Sequence, residues 1–217
     1  MLYLVTGTDP TALALVASGA VGYMSQPGSN PPPAAGLWAF DNGCVSAGPT
    51  AVPIPNPRWS ADRWLGKLEE HQHAADRCLF VVLPDVVCDH RATLARSLPW
   101  VDRVRELGYR VALACQNGAE DDPDIPWGRF DVAFLAGDNP FKLGQPGHRV
   151  ATRALAAGLT VHMGRVNSQR RLTKAAVMGC STADGTFVSI APRTNVPRML
   201  RWLDALADAP PLPMVAP

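Results

Sequence analysis

The chain has 217 residues, a mixed composition with 47% hydrophobic residues, and a formal charge of +1. That size holds one large domain or two small ones, and the composition is that of a globular protein. No apolar run reaches the roughly 18 residues of a membrane-spanning helix, which excludes that class on sequence grounds.

Residues 2–6 read as a first strand rather than as a signal peptide, since the basic, apolar, small-residue order is missing. A short helix is expected over residues 10–18 and a second strand over 20–24. Residues 25–36, SQPGSNPPPAAG, are too poor in apolar residues to pack as an element. A third short strand at 37–40 ends on Asp41-Asn42-Gly43-Cys44, and a proline-laden irregular loop continues to Arg58. Ser60 or Asp62 starts a helix that reads through to Ala75, with Trp64, Leu65 and Leu68 facing inward.

From residue 78 the alternation becomes regular. The run 78–84 is continuously apolar, as in a strand covered on both faces. A helix within 91–107, broken near Pro99, precedes a strand at 110–115 and the acidic loop GAEDDPDIPW. Strands at 132–136, 160–163 and 180–183 alternate with helices at 147–157 and 169–178. The helix at 169–178 buries Leu172, Ala175, Ala176 and Met178, leaves Arg170, Arg171 and Lys174 outside, and is capped by Asn167 or Ser168. An amphipathic helix at 196–207, with Leu200, Leu203 and Leu206 inward, closes the domain at about residue 208. A proline-rich tail, 209–217, follows and is expected to fray. Eight strand candidates alternating with helices or long loops predict a compact (β/α)8 barrel, with an open doubly wound sheet as the second choice. No phosphate-binding glycine motif follows any strand, so neither a dinucleotide nor a P-loop site is expected.

Charge and cysteine usage narrow the class further. Residues 141–217 carry ten Lys and Arg against three acids (+7), and residues 1–140 carry ten against sixteen (−6). A basic half suits a polyanion, about as well as it suits charges spread over outer helix faces. Five scattered cysteines without a CxxC spacing argue against a disulfide framework or a zinc knuckle and fit a reducing compartment.

The informative residues stand just past the strands. Asp41 follows the third, Asp85 the fourth and Gln116 the fifth; Gly137 follows the sixth, His162 to Arg165 straddle the end of the seventh, and Asp184 ends the eighth. In a closed parallel barrel these positions converge on one mouth. Carboxylates, an amide and a glycine there suit a flat heterocycle rich in N–H donors, such as guanine.

The set resembles the tRNA-guanine transglycosylase superfamily, most closely its phage and bacterial branch that places 7-deazaguanines in DNA. Asp41-Asn42-Gly43 resembles that family's Asp-Ser-Gly-Gly, Asp85 its base-binding Asp, and Cys115-Gln116-Asn117-Gly118 its Gln-Gly-Gly. Ala136-Gly137 resembles the glycine turn whose backbone touches the base. Val161-His162-Met163-Gly164 resembles Tyr-Leu-Met-Gly, and Gly179 to Asp184 resembles the segment carrying the nucleophile. The likeness runs from about Phe40 to Phe187. It departs at Asn42, which stands for Ser, and after Cys180, where the family's zinc-binding Cys and His residues are missing.

The resemblance implies base exchange at an N-glycosidic bond, with Asp184 as nucleophile and Asp41 as general acid/base, and no metal or cofactor. Asp85, Gln116, Gly137, His162, Met163 and Gly164 would bind the base, Met163 as a stacking surface. Arg165, Asn167, Arg170, Arg171, Lys174, Lys142 and His90 would hold the nucleic acid. Trp38, Trp59 and Trp127 are candidate wedges or stacking partners, though each fits packing better. Cys44 and Cys115 are expected to pack near the site rather than react. DNA and a 7-deazaguanine base are the expected partners, without a membrane; a homodimer or a partner in a modification complex stays open. The expected location is cytoplasmic, or the host cytoplasm if the chain is phage-encoded. Base excision, tRNA modification and a non-catalytic nucleic-acid-binding barrel are the alternatives.

Overall fold

Apolar side chains on both faces of short strands force the sheet to be covered twice, and here it is covered by closing on itself. The structure, a computed structural model, describes residues 1–28, 32–47 and 53–208. The proline-rich tail and parts of both early loops lie outside the described residues. The chain opens with β1 (Leu2–Val5), α1 (Pro10–Ala17), β2 (Gly22–Ser25) and β3 (Trp38–Phe40). A small antiparallel ribbon, β4 (Val45–Ala47) and β5 (Pro53–Pro55), leads to α2 (Ala61–Glu70) and β6 (Cys78–Val82). Next come α3 (His90–Ser97), α4 (Val101–Glu106), β7 (Val111–Cys115) and β8 (Val132–Leu135). The remainder is α5 (Asn139–Leu143), α6 (Gln145–Ala156), β9 (Thr160–Met163), α7 (Gln169–Val177), β10 (Thr182–Gly185), α8 (Phe187–Ile190) and α9 (Pro192–Ala207).

Eight parallel strands close in the order β1-β10-β9-β8-β7-β6-β3-β2, which settles the choice between a barrel and an open sheet. Side chains alternate along each strand. One set, including Leu4, Met24, Ala39, Phe80, Val82, Ala112, Ala114 and Val132, fills the lumen. The other, including Val5, Trp38, Phe40, Val81, Leu113, Leu135, Val161 and Met163, packs outward against the helices. Local chemistry sets the helix starts. Asp9, Ser60, Asp89, Asp138 and Ser168 each accept a backbone N–H in the first turn of α1, α2, α3, α5 and α7. No described helix is long and apolar enough to cross a membrane.

Several boundaries differ from the sequence reading. The helix expected through Ala75 stops at Glu70 and continues as 3-10 turns over Gln72–Arg77. The loop expected to be irregular holds the β4–β5 ribbon. In α9, Asn195, Val196 and Met199 are the buried residues; Leu200, Leu203 and Leu206 lie against the outer core but remain half-open. The last barrel strand begins at Thr182 rather than Cys180, so Asp184 lies within it.

Candidate active site

A cavity of about 480 Å³ opens at the carboxyl ends of the strands. Lumen residues Met24, Val82, Ala114 and Phe134 line its apolar part. At or just past the ends of β3, β6, β7, β9 and β10, Asp41, Asp85, Gln116, Arg165 and Asp184 stand around the same space. The closed topology explains the convergence, because each strand delivers its next inward residue to one mouth.

On one wall, Asp85 is 5% exposed and held by two amides. Asn42 Nδ2 donates to its Oδ1 at 3.1 Å, and Gln116 Nε2 donates to its Oδ2 at 2.5 Å. Both amides are themselves fixed. Asn42 Nδ2 also reaches the Leu83 carbonyl and its Oδ1 accepts the Cys44 N–H, while Gln116 Oε1 accepts the Cys88 N–H. Arg96 donates to the Asp85 carbonyl at 3.0 Å. Burial raises the Asp85 pKa, and the two amide bonds and Arg96 oppose it. Asp41 is raised to about 7, first by burial and then by the charges of Asp184 and Asp85; the N–H groups of Asn42 and Gly43 act the other way.

The facing wall is cationic. Asp184 Oδ1 lies 2.9 Å from His162 Nε2, and its side chain is 15% exposed. Gly164 lets this wall close up: a Cβ there would sit 2.8 Å from the Phe134 ring and 3.4 Å from Asp184 Oδ1. Its carbonyl accepts Lys142 Nζ at 2.7 Å. Lys142 is fully enclosed, and burial, followed by the Arg165 charge, brings its pKa down to about 7 against the pull of Asp184. Arg165 adopts φ +60°, an uncommon value for a side-chain-bearing residue, and its guanidinium donates to the carbonyls of Ala136 and Gly137. Burial lowers its pKa while Asp184 raises it.

The structure thus brings Asp41, Asp85, Gln116, Gly164, Arg165 and Asp184 together, and it corrects other expectations. Met163 points outward into the helix-facing core, because His162 and Gly164 on either side of it point inward; it is no stacking surface. His162 is fully enclosed and spent on Asp184 and Thr182, so it meets neither base nor phosphate. Lys142 is likewise closed off from any phosphate. Gly137 stands behind the cavity lining; a Cβ there would overlap Phe141 at 2.2 Å, and its carbonyl is taken by Arg165. His90 is 3% exposed with Nε2 on Asp122 Oδ2 at 3.1 Å, and its Nδ1 is buried with no partner among the described residues. Asn167 ties its loop to Thr186 and the Phe187 N–H, and Arg171 donates to the Arg165 carbonyl. Only Arg170 and Lys174 of the expected phosphate ligands are openly exposed.

The tryptophans are structural. Trp38 is buried and bonded to the Ala74 carbonyl, Trp59 donates to the Asn42 carbonyl beneath Arg96, and Trp127 packs under Arg153. Cys44 and Cys115 are buried thiols pushed up to about 12. The sequence reading noted Asn42 only as a departure and missed Arg96, Phe134 and Thr182. Asn42 had a signal, its place beside Asp41 at a strand end; Arg96 on its helix had none.

Among the described residues no group of three or more His, Cys, Asp or Glu could hold a metal ion. No known protein family matches the chain, and no curated protein matches it.

Proposed function

We propose that this protein exchanges a base at an N-glycosidic bond in nucleic acid, replacing guanine in DNA by a 7-deazaguanine. The observation that carries the reading is the meeting of three carboxylates, Asp41, Asp85 and Asp184, around one partly apolar cavity at the catalytic end of a parallel barrel. Fold alone would carry no function; the disposition of these side chains does. Asp184 sits beside Arg165 and Lys142, surroundings that suit an anionic nucleophile. Asp41 titrates near neutrality, which suits a proton carrier.

In this reading an Asp184 carboxylate oxygen attacks C1′ and the C1′–N9 bond breaks. Its electron pair goes to the departing guanine, which takes the proton of Asp41. The product is an ester between Asp184 and the sugar. The incoming 7-deazaguanine returns a proton to Asp41 as its own ring nitrogen attacks C1′ and releases Asp184. Two inversions retain the anomeric configuration. Asp85, steadied by Asn42 and Gln116, keeps lone pairs for the N–H edge of the base. The target must leave the base stack to enter, and its flanking phosphates would meet Arg165 and the exposed cations of α7.

The test is mass spectrometry of nucleosides from DNA and from tRNA incubated with the protein and 7-cyano-7-deazaguanine. The expected result is the deaza-nucleoside in DNA, matched by released guanine, and none with Asp184→Asn folded as the wild type. Incorporation into tRNA alone moves the substrate, and abasic sites in DNA without added base convert exchange to excision. Incorporation into neither polymer, or full activity of Asp184→Asn, overturns the reading.

A further inference from the structure

His162 is fully buried beside the lumen aromatics, and the mechanism above does not use it. Register places it beside Phe134 on β8 and Thr182 on β10. Its ring stacks on Phe134 with centroids 4.5 Å apart and meets Phe80 edge-on at 5.1 Å. Each ring nitrogen has a partner: Nε2 meets Asp184 Oδ1 at 2.9 Å, and Nδ1 meets Thr182 Oγ1 at 2.8 Å. Both partners stand two residues apart on the inward face of β10. Enclosing an imidazole is costly where an apolar ring would fill the same space. Here the cost goes into holding one carboxylate.

With Asp184 ionised, as the base-exchange reading requires of a nucleophile, its oxygen can only accept, so the proton of the shared bond belongs to Nε2. In the neutral ring Nδ1 then has a lone pair, which the Thr182 hydroxyl fills as donor. The aromatic neighbours fix the ring plane. Asp184 Oδ1 is thereby pinned at the edge of the lumen, and Oδ2 is the oxygen this bond leaves over.

We infer that His162 is the positioning residue of the nucleophile: it fixes Asp184 Oδ1 so that Oδ2 faces C1′, while Thr182 locks the tautomer. The inference rests on the base-exchange reading. A group oriented by a second residue, itself oriented by a third, is the arrangement that activated nucleophiles use, and misorientation of a reacting atom is expensive in rate.

The experiment measures exchange of labelled guanine into DNA by wild type, His162→Leu, His162→Gln and Thr182→Val, with 15N NMR of the histidine rings. Loss of the charged hydrogen bond in His162→Leu should lower kcat by about 10- to 100-fold with KM nearly unchanged. His162→Gln, whose amide nitrogen can replace Nε2, should recover most of that loss. Thr182→Val should cost about a few-fold in kcat. NMR should find the His162 proton on Nε2, with the Nδ1 signal moved in Thr182→Val. Wild-type kcat in His162→Leu, equal losses in the Leu and Gln variants, a defect confined to KM, or a proton on Nδ1 each overturn the inference while base exchange stands. If the wild type exchanges no base in any polymer, the base-exchange reading falls first and the role of His162 falls with it.

Discussion

The two walls of the cavity solve opposite electrostatic problems. On the wall built by β3, β6 and β7, Asp41 and Asp85 stand with amides as their neighbours; burial raises both, and the charges of Asp184 and then Asp85 raise Asp41 further. On the wall built by β8, β9, β10 and α5, Asp184 lies among Arg165, Lys142 and a hydrogen-bonding imidazole. The same residue type therefore stands in two settings, one raised by burial and neighbouring carboxylates and one placed beside cations and an imidazole. The division follows the chain itself: residues 1–140 have a net charge of −6 and residues 141–217 of +7. The cavity lies at the seam between the halves.

The contrast breaks most visibly at Asp41. Asp41→Asn removes the proton carrier and should lower exchange by about 10²- to 10⁴-fold. In the base-exchange reading the protonated form releases guanine, so kcat/KM for DNA should fall as pH rises through about 7. Stability carries the same signature. Folded Asp41 binds a proton between 3.8 and about 7 that the unfolded chain has lost, so its contribution is full at low pH and disappears as pH rises through that window. Asp41→Asn should therefore melt higher than the wild type at pH 8, by about several degrees, with the difference shrinking toward pH 5. Equal melting at both values would mean that Asp41 is not crowded.

A smaller effect should sharpen the role of the amides. Asp85→Ala leaves the Asn42 and Gln116 nitrogens without their carboxylate, at a cost of about 1–3 kcal/mol in stability. It should raise KM for the incoming base by about tenfold while kcat moves less, if Asp85 holds the base and not C1′ as in the base-exchange reading. A pure kcat defect would place Asp85 in the chemistry instead.

How far the sequence could be read follows from the same alternation. The barrel was legible because strands, helices and loops recur along most of the chain, and the cavity residues were legible because strand ends announce themselves. Inward and outward facing was not: Val161, His162 and Met163 are all buried, so the stretch shows no polar face to give its phase, and the sequence puts His162, Met163 and Gly164 together in the site although Met163 faces the outer core. Lys142 in Asn-Pro-Phe-Lys-Leu-Gly looks like the polar side of a short helix, yet it is enclosed with Nζ on the Gly164 carbonyl, a contact that local sequence does not announce. The Asn42–Asp85–Gln116 cluster joins three strand ends, and spacing along the chain says nothing about which amide meets which oxygen.

The smallest expected effect tests that correction at Lys142. Arg170 and Lys174 are exposed and lie one turn apart on α7, whose first turn is capped by Ser168 close to Arg165. If α7 meets the phosphates, Arg170→Ala and Lys174→Ala should each weaken DNA binding about a few-fold and reduce its salt slope by about one, with kcat unchanged at saturating DNA. Lys142→Ala should leave the salt slope alone, since an enclosed amine bonded to a carbonyl releases no counterion when DNA arrives. A common change in all three would put Lys142 back on the surface. No change in any would put the DNA on another face of the barrel. A slope altered only in the α7 variants would separate the cations that greet the polyanion from the one that shapes the wall behind Asp184.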